Sequence, residues 1–532
     1  MSRTYDVLIV GSGPAGVSAA FPLVEAGRSV LMVDGGAVSD LSPPRGEYLE
    51  LRRHDEVQWE WMVGRHFEAL ANAGAFSPKL RAPPVAYVFR DFGDANSVAT
   101  TDFVPVGSLA VGGLSNAWGT GVSRYSVRDL DAFPFPAQEF EASFARVARR
   151  VGLSGAADDD LAEHCGVDAW ADPPVGLDTP HRAIAKTYAA RRSTLAAQGF
   201  RLGHARVAAL SRERGPERRA CTKSGLCLWG CAEGALYSAR FDVASLARHP
   251  NFTHRPGVIV DRIEPRDGGW AVRTVARSPD DGAGVAARAV VLAAGTLATT
   301  RIALRSLDMR DSVPLLSQPF APFALWLPWL LGASREPGTG LAQLAFALDG
   351  ADRDAAYGYT FSTHALPIAD FVRGTEWTRR GSLRLLSALL SSVVVANCFL
   401  PASLSADTAH VNASGALHIT GRVAHDIDDV ARRVAARLRR AFRRLDAVLL
   451  PGTFRLGAHG ADAHYAGTLP MRAHPRRGET DGDGALAGLD SVYVADAAAF
   501  PALPEKPHTL SMMACADRVG AMLAARLRAG RA

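Results

Sequence analysis

The run Tyr5-Asp6-Val7-Leu8-Ile9-Val10-Gly11-Ser12-Gly13-Pro14-Ala15-Gly16 starts with strand composition and ends in a G-x-G-x-x-G turn. Behind it, Val17-Ser18-Ala19-Ala20 has the small residues of a helix lying close on a sheet. At such a corner Gly11 permits the tight turn, Gly13 lets backbone approach a pyrophosphate, and Gly16 lets helix and strand pack closely. The first helical N–H groups and the helix dipole favour an anion there. A second apolar run, Ser29 to Val33, ends on Asp34, an acid able to accept hydrogen bonds from ribose hydroxyls. An acid about 20 residues beyond the glycines makes a weak motif specific.

Working outward, a chain of 532 residues is too long for one hydrophobic core, so two domains are expected. Its 48% hydrophobic and 21% charged residues are those of an ordinary globular enzyme. A net charge of +5 is small for this length, and no basic-and-aromatic pattern asks for nucleic acid. The chain opens directly on its first strand, which leads to the expectation of a cytoplasmic protein without a signal peptide. Six cysteines, at 165, 221, 227, 231, 398 and 515, are too few and too unevenly spaced for a disulfide framework. The apolar stretches Phe320 to Ala333 and Leu385 to Leu400 are short of the roughly 20 residues a membrane span needs. They are read as lining a lipophilic pocket, with peripheral membrane contact left open.

Beyond the first βαβ unit, residues 40–105 lose the strand–helix alternation. A glycine-rich loop follows, Val106-Gly107-Ser108-Leu109-Ala110-Val111-Gly112-Gly113-Leu114-Ser115-Asn116-Ala117-Trp118-Gly119, able to lie flat against a planar ligand. Phe140, Phe144, Val147 and Val151 recur at helical spacing within 139–152. Strands are expected at 257–260, 270–275 and 289–294, the last meeting Gly295-Thr296 and a helix from Leu297. Residues 310–425 are richer in aromatics and prolines, with short strands at 391–399, 409–411 and 417–420. Asp426 to Leu450 reads as an amphipathic helix with the stripe Ile427, Val430, Val434, Leu438, Phe442 and Leu445, and seven arginines between 432 and 444. Ser491 to Asp496 is a further strand ending on an acid, and Thr509 to Leu527 has helix composition. A chain whose two ends both look nucleotide-binding inserts its second domain into its first.

These pieces, in this order, resemble the glucose–methanol–choline (GMC) oxidoreductases, flavoproteins that bind FAD and usually oxidise alcohols. The blocks that carry the resemblance are Gly11 to Asp34, Gly112 to Gly119, Ala293-Ala294-Gly295-Thr296-Leu297, and His464-Tyr465-Ala466-Gly467-Thr468 with Val494-Ala495-Asp496. The implied fold is α/β: a doubly wound FAD-binding domain with an inserted antiparallel-sheet substrate domain. By position, residues 1–50, 106–125, 215–310 and 485–532 go to the FAD domain, and 51–105, 126–214 and 311–484 to the substrate domain and lid segments. The resemblance implies Gly11, Gly13, Pro14, Ala15, Gly16, Asp34 and Gly35 on the ADP half of FAD. It implies Gly112, Gly113, Ser115, Asn116 and Ala117 near the isoalloxazine. Val258, Ala294, Gly295, Asp496, Ala497, His508 and Thr509 complete the expected cofactor contacts. Some relatives bind FAD covalently through a histidine just before the loop tryptophan. Here that position is Ala117, so dissociable FAD is expected.

Alcohol oxidation removes a hydroxyl proton and a hydride; the cofactor takes the hydride and the protein supplies orientation and a base. Histidine suits the base, with a pKa near working pH. His464, in His-x-x-Gly-Thr, matches the family's catalytic histidine. The second catalytic position is less regular: in Lys506-Pro507-His508-Thr509 the register of the family's Asn falls on Pro507, and His508 lies one residue on. His508 is carried as the partner of His464, the alternative being that His464 acts alone and His508 is structural; Lys506 is a distant substitute and His459 a supporting or surface residue. Cys221-x5-Cys227-x3-Cys231 fits neither a common zinc nor a cluster spacing, so no metal is expected. The function expected is FAD-dependent oxidation of a lipophilic or secondary-metabolite alcohol, with oxygen, a quinone or a protein as electron acceptor. The rivals are a non-redox lyase or photodecarboxylase on the same scaffold, and a non-catalytic flavoprotein subunit.

Overall fold

Tyr5–Val10 lies in the middle of a seven-stranded sheet in the computed structural model, which describes residues 4–71, 80–350, 353–363 and 378–530. Its parallel part runs Phe252–Pro256, Val30–Asp34, Tyr5–Val10, Ala286–Leu292 and Val492–Val494, so strands from both ends of the chain share one sheet. The near-continuous apolar runs Val7–Val10 and Ala289–Leu292 are buried on both faces, as parallel strands under helices must be. The hairpin Val260–Arg266 and Gly269–Thr274 joins the start of Ala286–Leu292 antiparallel. The strand expected at 257–260 is therefore displaced. Residues 252–256 pair with Val30–Asp34, and Gly257, at φ +85°, breaks the chain away before the hairpin begins.

The helix Pro14–Glu25 leaves the glycine turn and packs along the terminal helix Thr509–Arg528. At their closest approach a Cβ on Gly520 would lie 2.2 Å from the Ala19 carbonyl oxygen. Glu141–Val151, with Phe144, Val147 and Val151 buried as its spacing requires, clamps the pair from outside, and Arg146 Nε donates to Asp517 at 3.1 Å.

The second layer is a six-stranded sheet in the order Val448–Leu449, Phe320–Trp326, Val393–Phe399, Ala356–Ser362, Ala342–Leu348 and Phe200–His204. Its period-two alternation separates two faces. Phe323, Leu325, Val394, Ala396 and Cys398 pack under the stripe Val430, Val434, Leu438 and Phe442 of helix Ile427–Arg444. Val395, Asn397 and Phe399 turn the other way, toward the first domain. The helix stops six residues before its expected end. Asp446 takes φ +55°, and Val448–Leu449 leave to pair with Phe320–Trp326. Much of its arginine face is engaged: Arg432 pairs with Asp429, Arg433 with Asp354, and Arg437 with backbone carbonyls of Asp349 and Asp354. A five-stranded sheet, Tyr465–Ala466, Val313–Ser317, Asp407–Val411, Leu417–Thr420 and Val98–Thr101, links the layers and holds the segment that begins at His464. Among the described residues no helix is long and apolar enough to cross a membrane.

Candidate active site

A cavity of about 530 Å³ opens between the carboxyl ends of the parallel strands and the free face of the six-stranded sheet. This is where ligands bind on doubly wound sheets. Three helices point their N-termini into it: Pro14–Glu25 behind Gly13, Thr296–Ser306 behind Gly295, and Thr509–Arg528 behind His508. Among the described residues its lining contains no lysine or arginine. Positive potential therefore comes from helix ends, which suit a diphosphate. The backbone leaves room for one. A Cβ on Gly13 would meet no protein atom nearer than 4.0 Å, and one on Gly295 would meet nothing within 4 Å. The residues present thus fit FAD, with the glycine turn as cradle and the loop ending at Trp118 as floor.

Of the expected cofactor contacts, Gly11, Gly13, Pro14, Ala15, Asp34, Gly35, Gly113, Ser115, Ala117, Val258, Ala294, Gly295, Asp496, Ala497, His508 and Thr509 line this cavity. Gly16, Gly112 and Asn116 stand behind the lining. A Cβ on Gly16 would sit 1.9 Å from Gly11 O, so this glycine serves helix–strand packing. The Gly112 N–H donates to Ser12 Oγ at 3.0 Å. Asn116 turns its amide inward, donating to Val111 O and Gly113 O and accepting from Ser238 Oγ at 2.7 Å. It braces the loop and does not face the cavity. Asp34 accepts from Ser12 Oγ and the Gly36 N–H and lies 3.0 Å from His254 Nε2, a partner the sequence did not suggest. Asp496 accepts from Gly295 N–H, Thr299 Oγ1 and Ala498 N–H, yet burial pushes its carboxyl up to about 6.

His464 and His508, 44 residues apart in sequence, meet edge to face with ring centroids 5.1 Å apart and planes at 88°. The His464 ring also packs on Phe399 at 4.9 Å, and its Nδ1 lies 2.6 Å from Gln318 Oε1. Asp462 Oδ2 is 3.5 Å from the same nitrogen. His508 occupies the N-cap position of the terminal helix, and its buried Nδ1 has no partner among the described residues. Burial holds His464 down to about 3, with His508 adding to the effect, and holds His508 down to about 4. Both imidazoles are thus neutral at pH 7, well below the near-neutral pKa expected of a base. The reason is desolvation by burial, which among the described residues no carboxylate hydrogen-bonded to either ring offsets.

Lys506 turns away, its Nζ 2.6 Å from Asp129. His459 pairs with Asp407 at 2.6 Å on the linking sheet. Among the described residues no cluster of His, Cys, Asp or Glu is placed to hold a metal, and all six cysteines are free. Cys227 lines the cavity, and its thiol lies 3.9 Å from Thr339 Oγ1. The sequence reading missed Gln318, Tyr359 and Asn397. Asn397 had a signal, since alternation in 391–399 names one face as inward, whereas Tyr359 lies on Ala356–Ser362, a strand that the sequence reading did not place. Gln318 had none, because its partner is 146 residues away.

A family model described as GMC oxidoreductase matches residues 410–516, and one described as FAD binding domain matches 4–55. Over 324 residues the chain is 27% identical to 6'''-hydroxyparomomycin C oxidase of Streptomyces lividus, an alignment covering 57% of this chain and 50% of that protein. Over 321 residues it is 26% identical to paromamine 6'-oxidase of Streptomyces fradiae, with the same coverage of each chain. The chain spans about half the length of these curated relatives. Among solved structures, formate oxidase of Aspergillus oryzae superposes with a TM-score of 0.59 at 14% identity, covering 99% of this chain and 100% of that one. Pyridoxine 4-oxidase of Mesorbium loti gives 0.56 at 14% identity, covering 98% and 99%. These two show the shared fold. With the glycine turn at one end of the chain, the paired histidines at the other and the two family models matching the segments that hold them, the chain is similar to the glucose–methanol–choline oxidoreductases over those segments.

Proposed function

We propose that this protein is an FAD-dependent enzyme that oxidises an alcohol to a carbonyl compound, with His464 as the base. Bound FAD supplies the hydride acceptor, flavin N5. The observation that carries the reading is His464 itself: a neutral imidazole whose Nε2 has no hydrogen bond among the described residues, in the cavity that the glycine turn closes at its other end. Burial keeps its lone pair free of a proton at pH 7, so Nε2 is available to take the hydroxyl proton. His508, edge-on to it, is the second polar group the substrate oxygen meets. Phe399 beside His464 keeps bulk water from the reacting atoms. Ala117 has no atom able to bond the flavin, which supports dissociable FAD. The central sheet draws its strands from 1–50, 215–310 and 485–532, and 106–125 lines the same cavity, which supports assigning these segments to the FAD domain, with 51–105, 126–214 and 311–484 forming the substrate domain and lid segments.

The substrate end is walled by Phe320, Phe361, Val395 and Phe399, with Tyr359 and Asn397 between them. Aromatic walls with a few polar groups and no cation favour an alcohol with an apolar body and no carboxylate or phosphate. The two Streptomyces relatives, named 6'''-hydroxyparomomycin C oxidase and paromamine 6'-oxidase, favour oxidation of a small molecule with oxygen as acceptor. The test is anaerobic mixing of the yellow protein with a panel of alcohols. At least one alcohol bleaches the flavin, and His464→Ala slows bleaching by roughly 100- to 10,000-fold with flavin content unchanged. Undiminished bleaching in that variant refutes the base assignment, and a protein that no alcohol reduces while light or a lyase substrate is turned over refutes the reaction class.

A further inference from the structure

The geometry points to Gln318 as the residue that decides which nitrogen of His464 carries its proton. This rests on the reading of His464 as the base and extends it to how that base is held ready.

Gln318 is 2% exposed and sits where the strand Val313–Ser317 passes into Phe320–Trp326. Its carboxamide nitrogen donates to two backbone carbonyls, Pro504 O and, at 3.2 Å, Lys506 O. A carboxamide has one nitrogen end and one oxygen end. With the nitrogen end committed to two acceptors, the oxygen must face the other way. Turned over, the group would set its oxygen against two carbonyl oxygens and its N–H groups against the ring. Oε1 therefore faces His464 Nδ1 at 2.6 Å, and an acceptor at that distance requires a proton on Nδ1. Asp462 Oδ2, at 3.5 Å, is too far to compete. A neutral imidazole has one N–H, so fixing it at Nδ1 leaves Nε2 with the lone pair that a base needs.

The same residue holds the ring's backbone, since the Gln318 N–H donates to His464 O at 3.3 Å. It also tethers the segment 504–506 that leads into His508. One side chain thus orients the base and sets the distance between the two imidazoles. Gln318 touches neither cofactor nor substrate in this account; it is a positioning residue.

The full-length holoenzyme, labelled with 15N-histidine, is examined at pH 7 by long-range 1H–15N correlation, and the His464 signals are identified by their loss in His464→Gln. The expected spectrum has a protonated Nδ1 and a bare Nε2 in the wild type. Gln318→Leu removes the acceptor, shifts His464 toward the Nε2–H form, and lowers kcat about a hundredfold with little change in KM. A wild-type spectrum with the proton on Nε2 overturns the proposal whatever the variants do. So does an unchanged Nδ1–H signal in Gln318→Leu. Should the tautomer prove as stated while His464→Gln turns over normally, the base assignment fails and the role of Gln318 in fixing the tautomer stands.

Discussion

A histidine withdrawn from water gives up its charge unless a carboxylate is placed beside it, and His508 shows the consequence. It is 7% exposed, its Nδ1 has no partner among the described residues, and burial alone holds it down to about 4. In the unfolded chain the same group titrates near 6.5. Above that pH neither state binds the proton and the residue makes no pH-dependent contribution. Below it the unfolded chain takes up a proton that the fold refuses, so stability is lost as pH falls from about 6.5 toward 4. In the flavin-free protein, His508→Gln lacks this titration. Its stability relative to wild type is expected to rise on acidification by up to about 1.4 kcal/mol per pH unit across that window, read from urea midpoints. A difference that stays constant between pH 7 and 4.5 would show the ring to be solvated or paired. Asp496 has the opposite sign. Raised to about 6, it binds its proton more tightly folded than unfolded, so its contribution grows as pH falls through 6 and levels off below the unfolded value.

At the scale of the element, the glycine turn separates two kinds of requirement that the motif alone does not distinguish. Gly16 is needed by the fold, because an added methyl would lie 1.9 Å from Gly11 O and force helix Pro14–Glu25 off the sheet. Gly13 has extended backbone and open space in front of it, so only a ligand needs it bare. Gly13→Val is therefore expected to fold with wild-type circular dichroism but purify with little or no flavin. Gly16→Val is expected to be lost from the soluble fraction. If both variants retain flavin, the cradle lies elsewhere. Elements set by local pattern were legible in sequence: Tyr5–Val10, Glu141–Val151, Leu417–Thr420 and the stripe of Ile427–Arg444 follow periodicity and turn residues. Their ends were not. The strand Phe252–Pro256 and the exit of the chain at Asp446 are chosen by pairing partners far off in sequence, Val30–Asp34 and Phe320–Trp326.

Across the whole molecule, the two chain ends fold as one unit. Val492–Val494 completes the sheet beside Ala286–Leu292, and Thr509–Arg528 lies against Pro14–Glu25 with Gly520 over Ala19. A side chain at 520 would part these helices and, with them, the base of the cavity. Gly520→Leu is expected to abolish cooperative unfolding or cut the yield of soluble protein severely, and a near-wild-type melting temperature would refute the close packing. What the sequence by itself determined was the nucleotide-binding corner, the return of the carboxy-terminal segment to that fold, and the histidine at 464, because each is written in contiguous residues whose backbone or chemistry has few alternatives. Only the tertiary structure decided that Asn116 braces the loop, that Lys506 is spent on Asp129, that both histidines are neutral, and that Gln318 reaches His464. Those properties depend on which groups are withdrawn from water together, and that depends largely on contacts between segments distant in the chain, which no local pattern encodes.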